Sequence, residues 1–257
     1  MNVNDVICLG AEPIALVNYL ALDRPRLRIV AEIMKGLSRG AREAGVAIVA
    51  GETAIMPDLV RGFDLAATVV GLVKKDRIIT GEKTRPGDVI LGLRSSGIHS
   101  NGLTLARKLL LRRGENSKDA LELLRPTRIY VKPILKLLSS RIEIHGLAHI
   151  TGGAYSKLVR IGQRAKVGFC FDAFPRPPRI FQSIQAEGQV SDREMFRTFN
   201  MGIGFIIVCP RKVMGRVISI IPEALPIGHV TSSNEVNLRR GQSEVIIVRW
   251  WPGGPGS

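Results

Sequence analysis

Two acidic residues sit where a divalent cation could be held. Asp5 follows Asn4 at the head of an apolar run, and Glu52 stands between Gly51 and Thr53, directly after Val46-Ala47-Ile48-Val49-Ala50. Carboxylates at the ends of elements are hard oxygen ligands suited to magnesium, which takes one or two of them plus the phosphate oxygens of a substrate. Gly51 and Thr53 add a backbone that a phosphate can approach and a hydroxyl donor. An Asp capping a helix and a Glu closing a strand have the same local sequence, so the pair alone leaves both readings open. The segment Ser95-Ser96-Gly97-Ile98-His99-Ser100-Asn101-Gly102 is a better case, a small-residue loop between an apolar strand and a helical stretch. Its backbone N–H groups and the helix N-terminus offer partial positive charge to an anion. His99 has reach there for general acid or base work or for a phosphate contact. The plain alternative is that Ser100 or Asn101 is an N-cap and His99 a solvated loop residue. His149-Ile150-Thr151-Gly152-Gly153 precedes another helical stretch, so two loops of one physical kind point to two phosphate-bearing ligands.

These residues need elements to position them. Leu27, Val30, Met34, Leu37, Ala41 and Ala44 recur at helical spacing, with Arg and Lys on the other face and Gly45 placed as a C-cap. An amphipathic helix is expected there. Val46 to Ala50 reads as a short strand buried on both faces and ending at Gly51-Glu52-Thr53. Strands are also expected at Phe63 to Val73, at Arg77 to Thr80, and at Val89 to Leu93 after the Pro86-Gly87-Asp88 turn; a helix follows from Leu103 to about Arg113. The polar stretch from Gly114 to Lys118 gives way to a helical pattern from Leu121 through Leu138. That change sets a boundary between an N-terminal α/β domain, 1–120, and a C-terminal α/β domain, 121–250, with 251–257 a disordered tail. In the second half, 167–171, 202–208 and 244–249 read as strands.

The 257 residues allow one large domain or two modest ones, and 45% hydrophobic against 23% charged residues is the balance of a folded protein. No uninterrupted apolar run reaches the roughly 18 residues of a bilayer span, and the first residues lack the basic-then-apolar pattern of a signal peptide. A cytoplasmic protein with no membrane partner is expected. Cys8, Cys170 and Cys209 are odd in number, far apart and set among apolar neighbours, so three buried free thiols are expected. The formal net charge of +15 attracts phosphate-bearing ligands or nucleic acid alike. Aromatics at 5%, without an RNP-like motif, argue against a base-stacking nucleic-acid binder.

Together, Asn4-Asp5-Val6 with Gly10-Ala11-Glu12-Pro13, Gly51-Glu52-Thr53-Ala54 and the 95–102 loop resemble the phosphoribosylformylglycinamidine cyclo-ligase family, the aminoimidazole ribonucleotide synthetases. Pro126-Thr127-Arg128-Ile129-Tyr130-Val131-Lys132, His149-Ile150-Thr151-Gly152-Gly153 and Met195-Phe196-Arg197-Thr198-Phe199-Asn200-Met201-Gly202 extend the likeness, in the same order, to about Val248. Other enzymes of this ATP-binding architecture share the Asn-Asp and Glu-Thr elements. The 127–132 and 197–202 stretches are specific to the cyclo-ligase.

The resemblance implies a two-domain fold of mixed sheets packed with helices. It also implies a homodimer, with each N-terminal domain contributing to a shared β-structure and Mg²⁺ and ATP bound in a cleft. The implied reaction phosphorylates the formyl oxygen of formylglycinamidine ribonucleotide; a nitrogen of the same substrate attacks that carbon and phosphate leaves. Carried over, Asp5 and Glu52 hold the metal, and Asn4, Asp5, Glu52, Thr53 and Asn101 bind ATP. Ser95, Ser96, Gly97, Ser100, Thr151, Gly152 and Gly153 take substrate or its phosphate, and His99 is the catalytic candidate. Arg197 and Asn200 fit a site or a structural role equally. The family carries a glycine-rich segment and an Asp-Gly-Val-Gly-Thr-Lys motif ahead of Asn-Asp, where this sequence opens. Ile55 replaces an acidic residue of many members, and Ala154 a third glycine. The alternatives are a paralogue such as formylglycinamidine ribonucleotide synthetase, or a non-catalytic dimerising remnant with nucleic-acid affinity.

Overall fold

The computed structural model describes residues 1–114 and 118–250. The expected tail 251–257, and 115–117 within the boundary stretch, lie outside the described residues. A first unit, Met1–Ile78 with Ile129–Leu135, holds α1 (Asn2–Ile7), β1 (Glu12–Leu22), α2 (Leu27–Ala44), β2 (Ala47–Ile55) and β3 (Phe63–Leu72). Its sheet runs β2-β1-β3, with β2 parallel and β3 antiparallel to β1. The parallel pair requires a crossover, which α2 supplies. Gly45 ends that helix at φ 72°, its N–H returned to the Ala41 and Arg42 carbonyls, as its place after the apolar stripe predicts. Val3, Leu16, Ala44, Val46 and Val131 form the buried core of this unit. Helix α1 is tied down twice, by Asn2 Nδ2 donating to the Ala67 carbonyl at 2.6 Å and by the Tyr130 N–H donating to Asn4 Oδ1 at 2.9 Å.

Two expectations for this unit are corrected. Strand β2 continues through Gly51-Glu52-Thr53 to Ile55, which puts Glu52 in mid-strand opposite Tyr19 of β1. Its residues 47–50 are exposed rather than buried on both faces, because β2 is an edge strand paired only with β1. Arg77 to Thr80 is no strand; Lys75–Arg77 is a 3₁₀ turn.

The second unit takes Ile79–Arg128 and the chain from Lys136 onward. In order it holds β4 (Val89–Arg94), α3 (Leu103–Leu110), α4 (Lys118–Glu122), the end of α5 (Val131–Ser139), β5 (Gly146–His149), α6 (Val159–Ala165) and β6 (Gly168–Phe171). There follow α7 (Arg179–Gly188), α8 (Asp192–Thr198), β7 (Ile203–Cys209), α9 (Met214–Ile220), β8 (Leu225–Thr231), β9 (Glu235–Arg240) and β10 (Ser243–Arg249). The seven strands run β10-β9-β6-β8-β4-β7-β5, antiparallel except for β6 with β9. A core that includes Ile90, Tyr155, Phe169, Phe181, Phe196, Phe199 and Ile206 packs the helices against this sheet. The helix expected across 121–138 is interrupted between α4 and α5, where Pro126 lacks an N–H and holds Arg125 away from helical backbone. Residues 79–120 group with this unit because β4 lies inside its sheet, whereas the sequence reading set its boundary near Leu121. The mixed α/β architecture is the expected one. Cys170 and Cys209 are buried free thiols, but Cys8, at the end of α1, is half-buried and donates to the Asn4 carbonyl.

Candidate active site

Strand β4 delivers the chain into the 95–102 loop, and one distant residue holds the loop's shape. Asn200 is fully buried; its Oδ1 accepts the Ser95 hydroxyl at 3.0 Å and the Gly202 N–H at 2.8 Å, and its Nδ2 donates to the Gly97 carbonyl at 3.0 Å. The Tyr155 hydroxyl donates to the Asn200 carbonyl at 2.8 Å, and the Ser95 N–H donates to the Gly202 carbonyl at 2.9 Å. Ser96 Oγ donates to the Pro126 carbonyl at 2.6 Å, and Ser100 Oγ shares a hydrogen bond with Thr127 Oγ1 at 3.3 Å. The hydroxyls of Ser95, Ser96 and Ser100 therefore fix the loop. Gly102 closes it at φ 65°, where a Cβ would lie 2.3 Å from the Phe199 ring, so no other residue fits without displacement.

His99 is 3% exposed and takes up the left-handed backbone at φ 58°. Its Nε2 accepts the Ser96 N–H at 3.2 Å, which leaves the proton of the neutral ring on Nδ1. Burial, reinforced by His149 with its ring 6.4 Å away, pushes the imidazole pKa down to about 3. At neutral pH His99 is a neutral, buried hydrogen-bonding ring.

The second glycine loop lies against the first. Asn101 is 6% exposed, its Nδ2 has no hydrogen-bond partner among the described residues, and its Oδ1 lies 3.5 Å from where a Gly152 Cβ would stand. A buried amide donor without a partner is costly unless a ligand supplies an acceptor, so it fits an anionic group such as phosphate. Thr151 is buried and receives a hydrogen bond from Lys157 Nζ, which brings a cation to the loop. Gly152 and Gly153 are exposed, and Gly153 sits at φ 79°. Lys157 and Arg128, whose guanidinium binds the Arg94 carbonyl and the Glu223 carboxylate, were not singled out as site residues from sequence. Only the fold shows Lys157 turning back to Thr151, six residues before it, beside the two glycines. Arg197 lies in the last turn of α8.

The carboxylates belong to the first unit. Asp5 is exposed on α1, and Glu52 is exposed on β2 with its Oε1 accepting the Thr53 N–H at 3.2 Å. Glu52 borders an open depression lined by Val17, Asn18, Tyr19, Gly51, Ala67 and Thr68 among others. Asn18 fills the space beside Gly51, where a Cβ would come 2.7 Å from its Oδ1. Asp5 and Glu52 are each a solvent-facing hard oxygen donor of the kind Mg²⁺ takes. Asn4 is buried, and its Oδ1 accepts the Tyr130 N–H, which anchors α1.

A mixed α/β fold here presents two small-residue loops before helical turns, each suited to an anionic group. Residues 1–73 match the AIR synthase related protein, N-terminal domain, and residues 85–241 the corresponding C-terminal domain. The chain is 53% identical to the phosphoribosylformylglycinamidine cyclo-ligase of Methanocaldococcus jannaschii, over 96% of this chain and 74% of that protein. It is 55% identical to that of Pyrococcus furiosus, over 86% and 66%. Among solved structures it resembles the hydrogenase maturation protein HypE (TM-score 0.77, 23% identity, 99% of this chain and 81% of that one). It also resembles T. maritima PurL complexed with ATP (TM-score 0.62, 18% identity, 95% and 39%). The chain belongs to the phosphoribosylformylglycinamidine cyclo-ligase family. The family's reaction is the ATP-dependent cyclisation that forms a carbon–nitrogen bond in purine biosynthesis.

Proposed function

We propose that this chain closes formylglycinamidine ribonucleotide to aminoimidazole ribonucleotide, with release of ADP and phosphate. The observation that carries the reading is the pair of loops, 95–102 and 151–153, meeting at the buried Asn101 amide, with Lys157 beside them and Asn200 holding the first rigid. In the reaction the formyl oxygen takes the γ-phosphoryl group, a nitrogen of the same molecule attacks the formyl carbon, and the carbon–oxygen bond breaks to release phosphate. Ring closure within one molecule is a positioning problem, and rigid loops that fix the substrate meet it. Thr151, Gly152, Gly153 and Lys157 take the substrate phosphate. Asn101 donates to a phosphate oxygen, and Ser95, Ser96, Gly97 and Ser100 shape the wall. His99 contributes a hydrogen bond and no proton transfer. Asp5 and Glu52, with Thr53 adjacent, are the residues that would hold magnesium with ATP; such an ion would supply charge neutralisation to the triphosphate.

The chain works as a cytoplasmic homodimer. Supporting this, Val49, Phe63, Leu65 and Val70 on the outer strands of the three-stranded sheet are each more than 40% exposed. Exposed apolar side chains gathered on one small sheet mark a protein contact. Among the described residues no helix is long and apolar enough to cross a membrane. The test is ADP release from Mg-ATP by the purified chain with and without formylglycinamidine ribonucleotide. Release that depends on the ribonucleotide is expected; release indifferent to it would overturn the reading.

A further inference from the structure

On the seven-stranded sheet, outside both glycine loops, three side chains converge in a way the cyclisation does not use. Cys170 on β6 and His229 on β8 are paired in the ladder and project from the same face, and Asp172 follows two residues after Cys170. Their Sγ, imidazole nitrogen and carboxylate oxygen lie within 4.8 Å of one another, with His229 Nδ1 3.1 Å from Asp172 Oδ2. Ligand atoms on a tetrahedral zinc ion, each about 2.0–2.3 Å from the metal, stand roughly 3.3–3.6 Å apart, so a small contraction around an ion brings these three into place.

A fourth group makes the cluster more than a cysteine beside an ion pair. Asn237 on β9 is the register partner of Cys170 on its other side. It is 6% exposed, and its Oδ1 has no hydrogen-bond partner among the described residues. Its Nδ2 donates to Glu244 Oε1 on β10 at 2.7 Å and to Glu235 Oε1 at 3.2 Å. With Nδ2 committed to those carboxylates, Oδ1 is the acceptor left over on a residue whose backbone is in register with Cys170. A buried acceptor left without a donor carries a desolvation cost that a cation would remove. Glu244 and Glu235 are themselves held by Arg239 at 3.3 Å and Arg249 at 2.7 Å, so the amide is oriented by a second layer of ion pairs.

We propose that Cys170, Asp172 and His229, completed by the Asn237 carboxamide oxygen, form a binding site for a zinc-class divalent ion that clasps β6, β8 and β9. Thiolate and imidazole with oxygen donors select a borderline-soft transition ion over magnesium or calcium. Burial raises the Cys170 thiol above its ordinary range, so it is protonated before the ion arrives. Binding forms the metal–sulfur bond and releases the thiol proton to solvent, one per ion. Asp172 is exposed and His229 half-exposed, which gives the ion an open route from solvent.

The test uses the full, untagged chain stripped with a chelator and titrated with Co²⁺, a coloured substitute for zinc. One equivalent is expected to produce a thiolate-to-cobalt charge-transfer band with the intense visible bands of a tetrahedral site, and Zn²⁺ is expected to bleach both. Cys170→Ser should abolish the charge-transfer band, and Asp172→Asn should weaken Co²⁺ binding by about tenfold or more. Absence of the band in the unmodified chain, or its persistence in Cys170→Ser, overturns the proposal. Where circular dichroism shows Cys170→Ser unfolded, the surface variant His229→Gln decides: lost affinity upholds the site, and unchanged affinity with an unchanged band overturns it.

Discussion

His99 shows how burial reassigns a residue whose type alone suggests proton transfer. Its folded-state pKa near 3 lies below the unfolded value of 6.5, so the folded form resists a proton that the unfolded chain accepts. Its contribution to stability is complete above about 6.5 and is lost as pH falls toward 3. Replacing His99 by Gln is expected to flatten the pH dependence of unfolding free energy across that window, measured by denaturant titration at several pH values. An unaltered slope would remove the buried neutral imidazole from the account. Asn200 acts through others: Asn200→Ala leaves the Ser95, Gly97 and Gly202 groups without their partner and should cost on the order of 3 kcal/mol, read from the same titrations. Glu52 makes the opposite case, since it is exposed and carries little of the fold. Glu52→Gln is expected to weaken Mg-ATP binding in calorimetry while the melting temperature stays put, and undiminished affinity would take Glu52 out of the metal site.

At the scale of elements, local pattern and long-range pairing parted company. Helix α2 with Gly45, strand β4 and the loop into α3 were legible because periodicity, a left-handed glycine and a Pro-Gly-Asp turn are local signals. Strand β2 was misjudged in two ways, for one reason. An apolar run reports that a surface meets something apolar, yet it does not report whether the partner lies in the same chain. Strands β1, β5 and β8 were missed because their pairings are to segments distant in sequence; β9 was missed although it forms a hairpin with β10, and Cys170, Asp172, His229 and Asn237 come from β6 and the residue after it, β8 and β9, which only the ladder brings together. In the loops, the residue types were readable, but Asn200 lies 103 residues from the Gly97 carbonyl it binds, and no spacing rule joins them. Gly102 tests the loop as an element. A methyl group there meets the Phe199 ring on a backbone that disfavours side chains, so Gly102→Ala should destabilise by roughly 2–4 kcal/mol. Thermal unfolding within half a degree of the parent would show that the loop closes some other way.

For the whole molecule, the outer strands of the three-stranded sheet and the +15 charge are the features that one chain does not use. Sedimentation is expected to find a dimer, and Val49→Lys, at a residue 61% exposed on β2, is expected to give a folded monomer. A parent chain that sediments as a monomer would contradict the shared-sheet reading. The positive charge suits a protein whose two substrates both carry phosphate, and its attraction weakens with added salt. The central claim concerns the fate of one oxygen atom. With Mg-ATP and formylglycinamidine ribonucleotide labelled with ¹⁸O at the formyl oxygen, the account predicts aminoimidazole ribonucleotide and ADP in equal amounts, and the label in the released inorganic phosphate. ADP formed without the cyclised product, or phosphate free of label, would contradict it.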